Sequence, residues 1–140
     1  MSTLLEIIAE IKAQATAAGF KRVSEVQVVE RDVSDTELPT MYIKLEDIDF
    51  AKFRINVAEE TYTFELTMVA ASAGTPISTL VTLQNGFLTK LVSSTVLKDY
   101  FLKEKVDLEK STMTNDKEKN AKLGGESCVL TLTIENITNY

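Results

Sequence analysis

Two segments of the chain alternate between apolar and polar residues so regularly that each is predicted to be a strand with one buried face. In residues 61–68 every even-numbered position is aromatic or aliphatic, and every odd-numbered position is Thr or Glu. In residues 128–135 the even-numbered positions are Cys, Leu, Leu and Ile, whereas the odd-numbered ones are Val, Thr, Thr and Glu. Successive side chains of a strand point to opposite faces, so this period of two predicts a sheet that is apolar on one face only.

Shorter alternating sets extend the predicted sheet. Residues 41–45 carry apolar side chains at positions 41, 43 and 45, and residues 53–57 do so at 53, 55 and 57. Weaker patterns at 23–29 and 105–110 indicate two further strands. Together with the two long segments, these sets place strands both early and late in the chain.

The N-terminal segment has the pattern of an amphipathic helix. Thr3 and Glu6 have the spacing of a capping box, and apolar residues then recur at helical intervals. Gly19 stands where a left-handed C-terminal cap is expected. The sequence therefore predicts a helix over residues 3–18.

A second helical pattern begins at Thr75–Pro76, an N-cap followed by a first-turn proline. It predicts a helix over residues 76–93, in which Asn85–Gly86 could introduce a kink. A short third helix is predicted over residues 94–102.

The element order predicts a single α+β domain over residues 1–140, a two-layer sandwich with the order α-β-β-β-α-β-β. Its sheet is mainly antiparallel, and the helices 3–18 and 76–93 pack on one face. A chain of 140 residues is long enough to bury a core without disulfides or a structural metal. The charged segment 111–125 has few apolar residues and is predicted to be a mobile loop.

Composition excludes several classes of function. The chain has no His and a single cysteine, Cys128, so Ser-His and Cys-His catalysis and His- or Cys-rich metal sites are excluded. We expect neither an enzyme nor a cofactor, and we expect Cys128 to be a buried core thiol. No run of 18 apolar residues predicts a membrane span, and no export signal is recognisable, so synthesis in the cytoplasm is expected. The net charge of −6 argues against a general affinity for nucleic acid.

Charged and aromatic residues outside the predicted core are the candidate partner contacts. The carboxylates at 46, 47 and 49 could bind a hard cation, but their spacing fits no calcium loop and favours a solvated turn. The lysines at 117–122 alternate with acids, which favours a solvated loop tip over a binding patch. Apolar side chains on the polar face, such as Tyr42, are either an oligomer surface or scattered exposure. The candidate interface residues are Tyr42, Glu46, Asp47, Asp49, Lys117, Lys119 and Lys122.

The chain resembles the small tail terminator proteins of long-tailed phages. The likeness consists of the N-terminal helix, the Pro-led stretch 38–43 that enters a strand, the long strand 61–71, the helix from Pro76, and the closing strands. The resemblance implies a virion structural protein, assembled in the host cytoplasm as a homo-oligomeric ring that is commonly hexameric. Such a ring caps the tail tube and joins it to the head connector, and DNA passes through its lumen.

A ring of this chain has two charge features that are expected to matter. Its lumen would be acidic, since the net charge of −6 is repeated in every subunit, and an acidic channel offers DNA few cationic contacts. The acidic region 30–60 of one subunit could also meet the faintly basic region 103–125 of the next. Replacing Lys117 and Lys119 by Glu is then expected to weaken assembly.

A small acidic secretion chaperone is the alternative. Such proteins have a similar element order and bind an unfolded effector as a dimer. They usually finish with a further helix, whereas residues 126–134 are predicted to be a strand, so the sequence favours the tail terminator.

Overall fold

The computed structural model describes residues 3–25, 38–114 and 125–140, with the backbone alone at 51–53 and 114. The helices are α1 (Leu4–Ala18), α2 (Pro76–Val92) and α3 (Lys98–Leu102). The strands are β1 (Arg22–Ser24), β2 (Thr40–Arg54), β3 (Val57–Ala70), β4 (Val106–Thr114) and β5 (Glu126–Asn139).

The five strands form one mixed sheet in the order β1-β2-β3-β5-β4. All neighbouring pairs are antiparallel except β1 and β2, which are parallel. The helices pack against this sheet, which confirms the predicted α+β class. The long β2–β3 hairpin is continued by β5, which pairs with β3 over its whole length.

The α1 helix begins and ends at the residues that its capping signals predict. The Thr3 side chain accepts a hydrogen bond from the Glu6 backbone N–H at 3.2 Å. Gly19 follows the last turn in the left-handed conformation, with φ at +114°, and its N–H bonds back to the helix. Ile7, Ile11 and Ala15 form the buried stripe that packs toward the sheet.

The predicted separate strand over residues 53–57 is wrong. Phe53 and Arg54 are the last residues of β2, Val57 begins β3, and Ile55–Asn56 form the turn between them. Asn56 has a positive φ of 66°, a conformation that Asn tolerates better than most residues. Ile55 is exposed at the tip of this turn, yet as an apolar residue it continues the alternating pattern of the sequence. The alternation therefore did not reveal that the chain reverses direction here.

Several boundaries differ from the predicted ones. The α2 helix runs through Asn85–Gly86 without a break. The α3 helix begins at Lys98 instead of 94, because the Ser94 hydroxyl accepts hydrogen bonds from the Val96 and Leu97 backbone N–H groups and forms a turn there. The weak strand predicted at 23–29 is represented by β1, and its residues 26–29 lie outside the described residues.

The β4 strand extends to Thr114, so residues 111–114 of the predicted mobile loop are strand. The remainder of that segment up to residue 124 lies outside the described residues. In the described sheet β4 is an edge strand, and it pairs only with β5. A bulge between Leu108 and Lys110 interrupts this pairing.

The core lies between the helices and one face of the sheet, which we call the helix-covered face. Even-numbered residues of β3 and β5 point to it, because even positions pair with even positions throughout their register. Tyr62, Phe64, Leu66 and Met68 are buried there against α1 and α2. Cys128 is buried in the same core, as predicted. None of the described helices is long and apolar enough to cross a membrane.

Candidate functional site

The opposite face of the sheet carries no helix, and we call it the helix-free face. Asp47 and Asp49 pair with Thr63 and Thr61, which places both carboxylates on this face. Both aspartates are exposed. The structure thus brings two of the candidate carboxylates together with a row of threonines and leaves them solvated.

Glu46 lies at the bulge between Leu45 and Asp47. Its side chain forms an ion pair with Lys44. The Lys44 ammonium is 2.9 Å from the Glu46 carboxylate. This hydrogen bond and the charge of Glu46, with a smaller contribution from Glu65, raise the pKa of Lys44. Among the residues that the structure describes, no group of three His, Cys, Asp or Glu side chains could hold a metal ion.

Tyr42 is buried rather than exposed on the helix-free face. Its side chain is 1% exposed and packs with Leu38 and Val69 in a small second core. A partner could touch Tyr42 only if this cluster opened. The other three candidates, Lys117, Lys119 and Lys122, lie outside the described residues.

The centre of the helix-free face is a strip made by the odd-numbered residues of β3 and β5. Thr61, Thr63, Thr131 and Thr133 occupy its middle, half-buried by their neighbours across the strands. Its charged residues are Glu59, Glu65 and Glu135, and the strip contains no Lys or Arg. Basic residues of this face also stand on the flanking strands, with Lys44 and Arg54 on β2 and Lys110 on β4.

A buried polar cluster closes the far end of the helix-covered face. Glu60 is 4% exposed and accepts a hydrogen bond from the Tyr62 hydroxyl at 2.6 Å. The Tyr140 hydroxyl donates to the other oxygen of the same carboxylate. Asn136 joins the cluster by donating to the Tyr62 hydroxyl at 3.4 Å and accepting from the Tyr100 hydroxyl at 2.9 Å.

This environment shifts the tyrosines toward their neutral forms. Burial, followed by the hydrogen bond to Glu60, raises the pKa of Tyr62. The hydrogen bond to Glu60 raises the pKa of Tyr140 to about 12. An ionised carboxylate can only accept hydrogen bonds, so each hydroxyl must keep its proton to bind it. The cluster therefore fastens the end of β5 to the β2–β3 hairpin.

A cleft of about 250 Å³ lies beside the cluster. It is lined by Glu59, Glu60, Thr61, Lys105, Glu135, Asn136 and Ile137. Glu60 is already occupied by two hydroxyl donors, and no thiol or histidine lines the cleft. The geometry is that of a structural hydrogen-bond network with a shallow opening next to it.

The sequence analysis missed the roles of Glu60 and Asn136. Both continue an alternating series of core positions by one step, Glu60 before Tyr62 and Asn136 after Ile134. A polar residue in the next core position of a strand is the signal that could have identified them. Their mutual proximity could not be predicted, since it depends on the register between β3 and β5.

No protein-family model matches the chain, and no curated protein matches it either.

Proposed function

We propose that this chain is a tail terminator of a long-tailed phage, a structural protein that forms a ring on the tail tube and joins it to the head connector. The observation that carries the proposal is the central strip of the helix-free face. It is a broad strand surface of threonines and three glutamates without a basic residue. Within the described residues the protein has a wide exposed sheet face and no group of side chains arranged for catalysis, which is consistent with a role in assembly.

In this proposal the helix-free face of each subunit lines the channel of the ring. DNA passing through the channel would meet hydroxyl groups and carboxylates, which give phosphates no cation to bind. The flanking basic residues would lie toward the subunit boundaries. The channel would therefore let DNA slide without retaining it.

Light scattering across a range of protein concentrations, paired with negative-stain imaging, tests the ring. We expect closed rings of about six subunits, because different complementary patches on one subunit close a heterologous ring. A stable dimer at all concentrations would favour the secretion chaperone. A monomer that also fails to assemble on tail tubes would overturn the proposal.

Whether the helix-free face lines the channel is tested by placing positive charge on it. The double variant Thr63→Lys/Thr131→Lys adds two cations to the central strip. Ala13→Lys/Thr89→Lys adds the same charge to exposed positions on α1 and α2 and is the matched control. We expect the strip variant to bind double-stranded DNA more than tenfold tighter than the control, with a steep salt dependence. Equal affinities would show that the strip does not face the channel.

A further inference from the structure

Both edges of the sheet include a long stretch of strand that no described part of the chain covers. At one edge, β4 pairs only with β5. At the other edge, β1 pairs with β2 through Thr40–Tyr42 alone, and the chain bends at Glu25, directly after β1. The outer side of β2 therefore has no described neighbour from Ile43 to Arg54. Backbone N–H and C=O groups along such edges are a template for a further strand.

The directions of the strands allow the two edges to join. The strands β2, β3, β5 and β4 lie side by side, and each neighbouring pair is antiparallel. β4 therefore runs opposite to β2. When a second copy stands beside the first in the same orientation, its β2 is antiparallel to the β4 of the first copy. Repeating this step extends one antiparallel sheet, and the helix-free face stays on the same side throughout.

A joined sheet must keep the side chains of each face together, because successive side chains of a strand alternate between faces. Asp107 and Lys110 are on the helix-free face of β4, since they pair with threonines of that face on β5. Both are exposed. The register between the two edges decides which charges of β2 they meet. The charged positions of β2 on this face are Lys44, Asp47, Asp49, Lys52 and Arg54.

Charge selects one register between β4 and the β2 of a second copy. When Lys110 stands opposite Asp49, Asp107 comes opposite Lys52, so both charges of β4 meet an opposite charge. Moving β4 by two or four residues in either direction brings like charges opposite each other, as when Asp107 meets Asp49. Like charges directly opposite each other are destabilising. In the selected register β4 also ends at Lys44, just short of the residues that β1 covers.

Exposed apolar residues match in the register that the charges select. Leu108 is 39% exposed and Phe50 is 54% exposed. Both are on the helix-covered side, because both pair with residues buried there. In the joined sheet Leu108 stands opposite Phe50, and the exposed Met113 stands opposite the half-buried Leu45. The contact would thus remove from water apolar surface that took no part in selecting the register.

The same register produces the stagger that a closed sheet needs. Lys110 lies level with Glu65 of β3, whereas Asp49 lies level with Thr61, four residues nearer the hairpin turn. Each junction therefore shifts the sheet by four residues over four strands, which is one residue per strand. Closing a sheet into a barrel requires a shift of this kind. One residue per strand is the ratio of eight-stranded barrels with a shear of eight, whose strands tilt by about 36°.

We propose that β4 of one copy of this chain pairs antiparallel with β2 of a second copy, with Lys110 opposite Asp49. Backbone hydrogen bonds join the edges, and the charges set the register. Because the two edges differ, the contact is heterologous, and its repetition closes a ring whose sheets form one barrel with the helix-free face inside. The inference rests on the proposed function, in that it supplies the contact between subunits of that ring.

Cysteine cross-linking tests the contact and its register. Residues directly opposite each other in an antiparallel pair have Cα atoms about 4.5–5.5 Å apart, which suits a disulfide. Lys110→Cys and Asp49→Cys change exposed residues, so the fold should be retained, and the native Cys128 is buried. We expect an equimolar mixture of the two variants, oxidised with diamide, to give a covalent dimer that contains one chain of each.

Asp47→Cys is the matched control for Asp49→Cys, since it is exposed on the same face of the same strand but two residues out of register. Its cross-linking to Lys110→Cys should be at least tenfold slower, and equal rates would overturn the register. Dimers of Lys110→Cys alone or of Asp49→Cys alone would show that like edges pair, which would overturn the contact. So would a mixture without any cross-link, the result expected if each edge is covered within its own subunit or by a different protein.

A charge exchange gives a second, independent test. Asp49→Lys and Lys110→Glu each place like charges opposite each other, and we expect either change to weaken self-association about threefold to tenfold in sedimentation velocity. The double variant exchanges the two charges and should associate within about twofold of the wild type. Lys90→Glu makes the same charge change at an exposed position of α2 and should have little effect. A double variant that associates no better than the single ones would overturn the register.

The two proposals fail in different ways. A ring in which Lys110→Cys and Asp49→Cys do not cross-link would overturn the edge-to-edge contact and leave the tail terminator proposal intact. An assembly that cross-links as expected, but does not bind tail tubes, would do the reverse.

Discussion

At the scale of single residues, Glu60 is the least expected feature of the chain. Burying a carboxylate at the end of an apolar core costs free energy of folding unless hydrogen-bond donors replace the lost water. Here two tyrosine hydroxyls donate to the Glu60 carboxylate. The Asn136 amide links this group to the Tyr100 hydroxyl. Through these bonds the cluster joins β3, β5 and α3.

Replacing Tyr62 by Phe removes one of these donors without changing the shape of the core. The buried Glu60 carboxylate then loses one of its two hydroxyl donors, and we expect the free energy of unfolding to fall by about 1–3 kcal/mol. Urea denaturation measures the change. In a double-mutant cycle, Glu60→Gln combined with Tyr62→Phe should cost less than the sum of the two single changes. Additive effects would indicate that the hydroxyl and the carboxylate do not interact.

The raised pKa values of Tyr62 and Tyr140 predict a loss of stability in alkali. The unfolded chain releases these phenolic protons near pH 10, whereas the folded chain retains them up to about 12 at Tyr140. Their stabilising contribution is thus complete below pH 10 and is lost as the pH rises from 10 toward 12. Denaturation midpoints between pH 8 and 12 measure this loss.

Tyr140→Phe is the comparison variant for the alkaline loss. Burial also raises the pKa of Cys128, which contributes with the same sign but is unchanged in this variant. The variant should therefore lose less stability than the wild type over this pH range. An identical pH dependence in both proteins would contradict the assigned role of the Tyr140 hydroxyl.

At the scale of elements, the two glycines of the helical segments differ in whether their position requires glycine. Gly19 caps α1 at a φ of +114°, which side chains other than glycine adopt only with strain. Gly86 lies inside α2 with ordinary helical geometry, and a Cβ built there meets no atom within 4 Å. Glycine is thus needed at the first position and only tolerated at the second.

Substituting Ala at each position gives opposite predictions. Gly19→Ala should lower the free energy of unfolding by about 1–2 kcal/mol, the cost of a left-handed non-glycine residue. Gly86→Ala should raise it by about 0.5–1 kcal/mol, because alanine loses less backbone entropy in a helix. Thermal or urea unfolding of the two variants measures the difference. A destabilising Gly86→Ala would contradict the open surroundings of this position.

At the scale of the whole molecule, net charge and surface patches act against each other. Each subunit carries −6, so copies of the chain repel at long range. A contact between copies of the chain would have to overcome this repulsion.

Raising the ionic strength should consequently strengthen assembly. At about 0.5 M salt the Debye length is only a few ångströms, and the repulsion between subunits is screened. We expect the mass measured by light scattering at a fixed protein concentration to increase from low to high salt. A decrease would instead favour contacts between the carboxylates 46–49 and the lysines 117–122 as the main attraction between subunits.

Much of the fold could be predicted from the sequence because the relevant signals are local. The caps of α1, the helix from Pro76 and the alternation of 61–68 and 128–134 each depend on neighbouring residues, and the structure confirms them. The burial of Cys128 follows from the same alternation. Charge and the lack of His likewise constrain function without any knowledge of the fold.

Only the tertiary structure decided which residues distant in sequence contact one another. The turn at Ile55–Asn56 was hidden because an exposed apolar residue continues the strand pattern. The burial of Tyr42 depends on Leu38 and Val69, which lie on separate strands or segments. The Glu60 cluster and the hydrogen bond from Ser111 of β4 to Gln84 of α2 depend on strand register and helix placement, which are long-range properties. A local pattern specifies which face of an element is apolar, but only packing determines whether another element covers it.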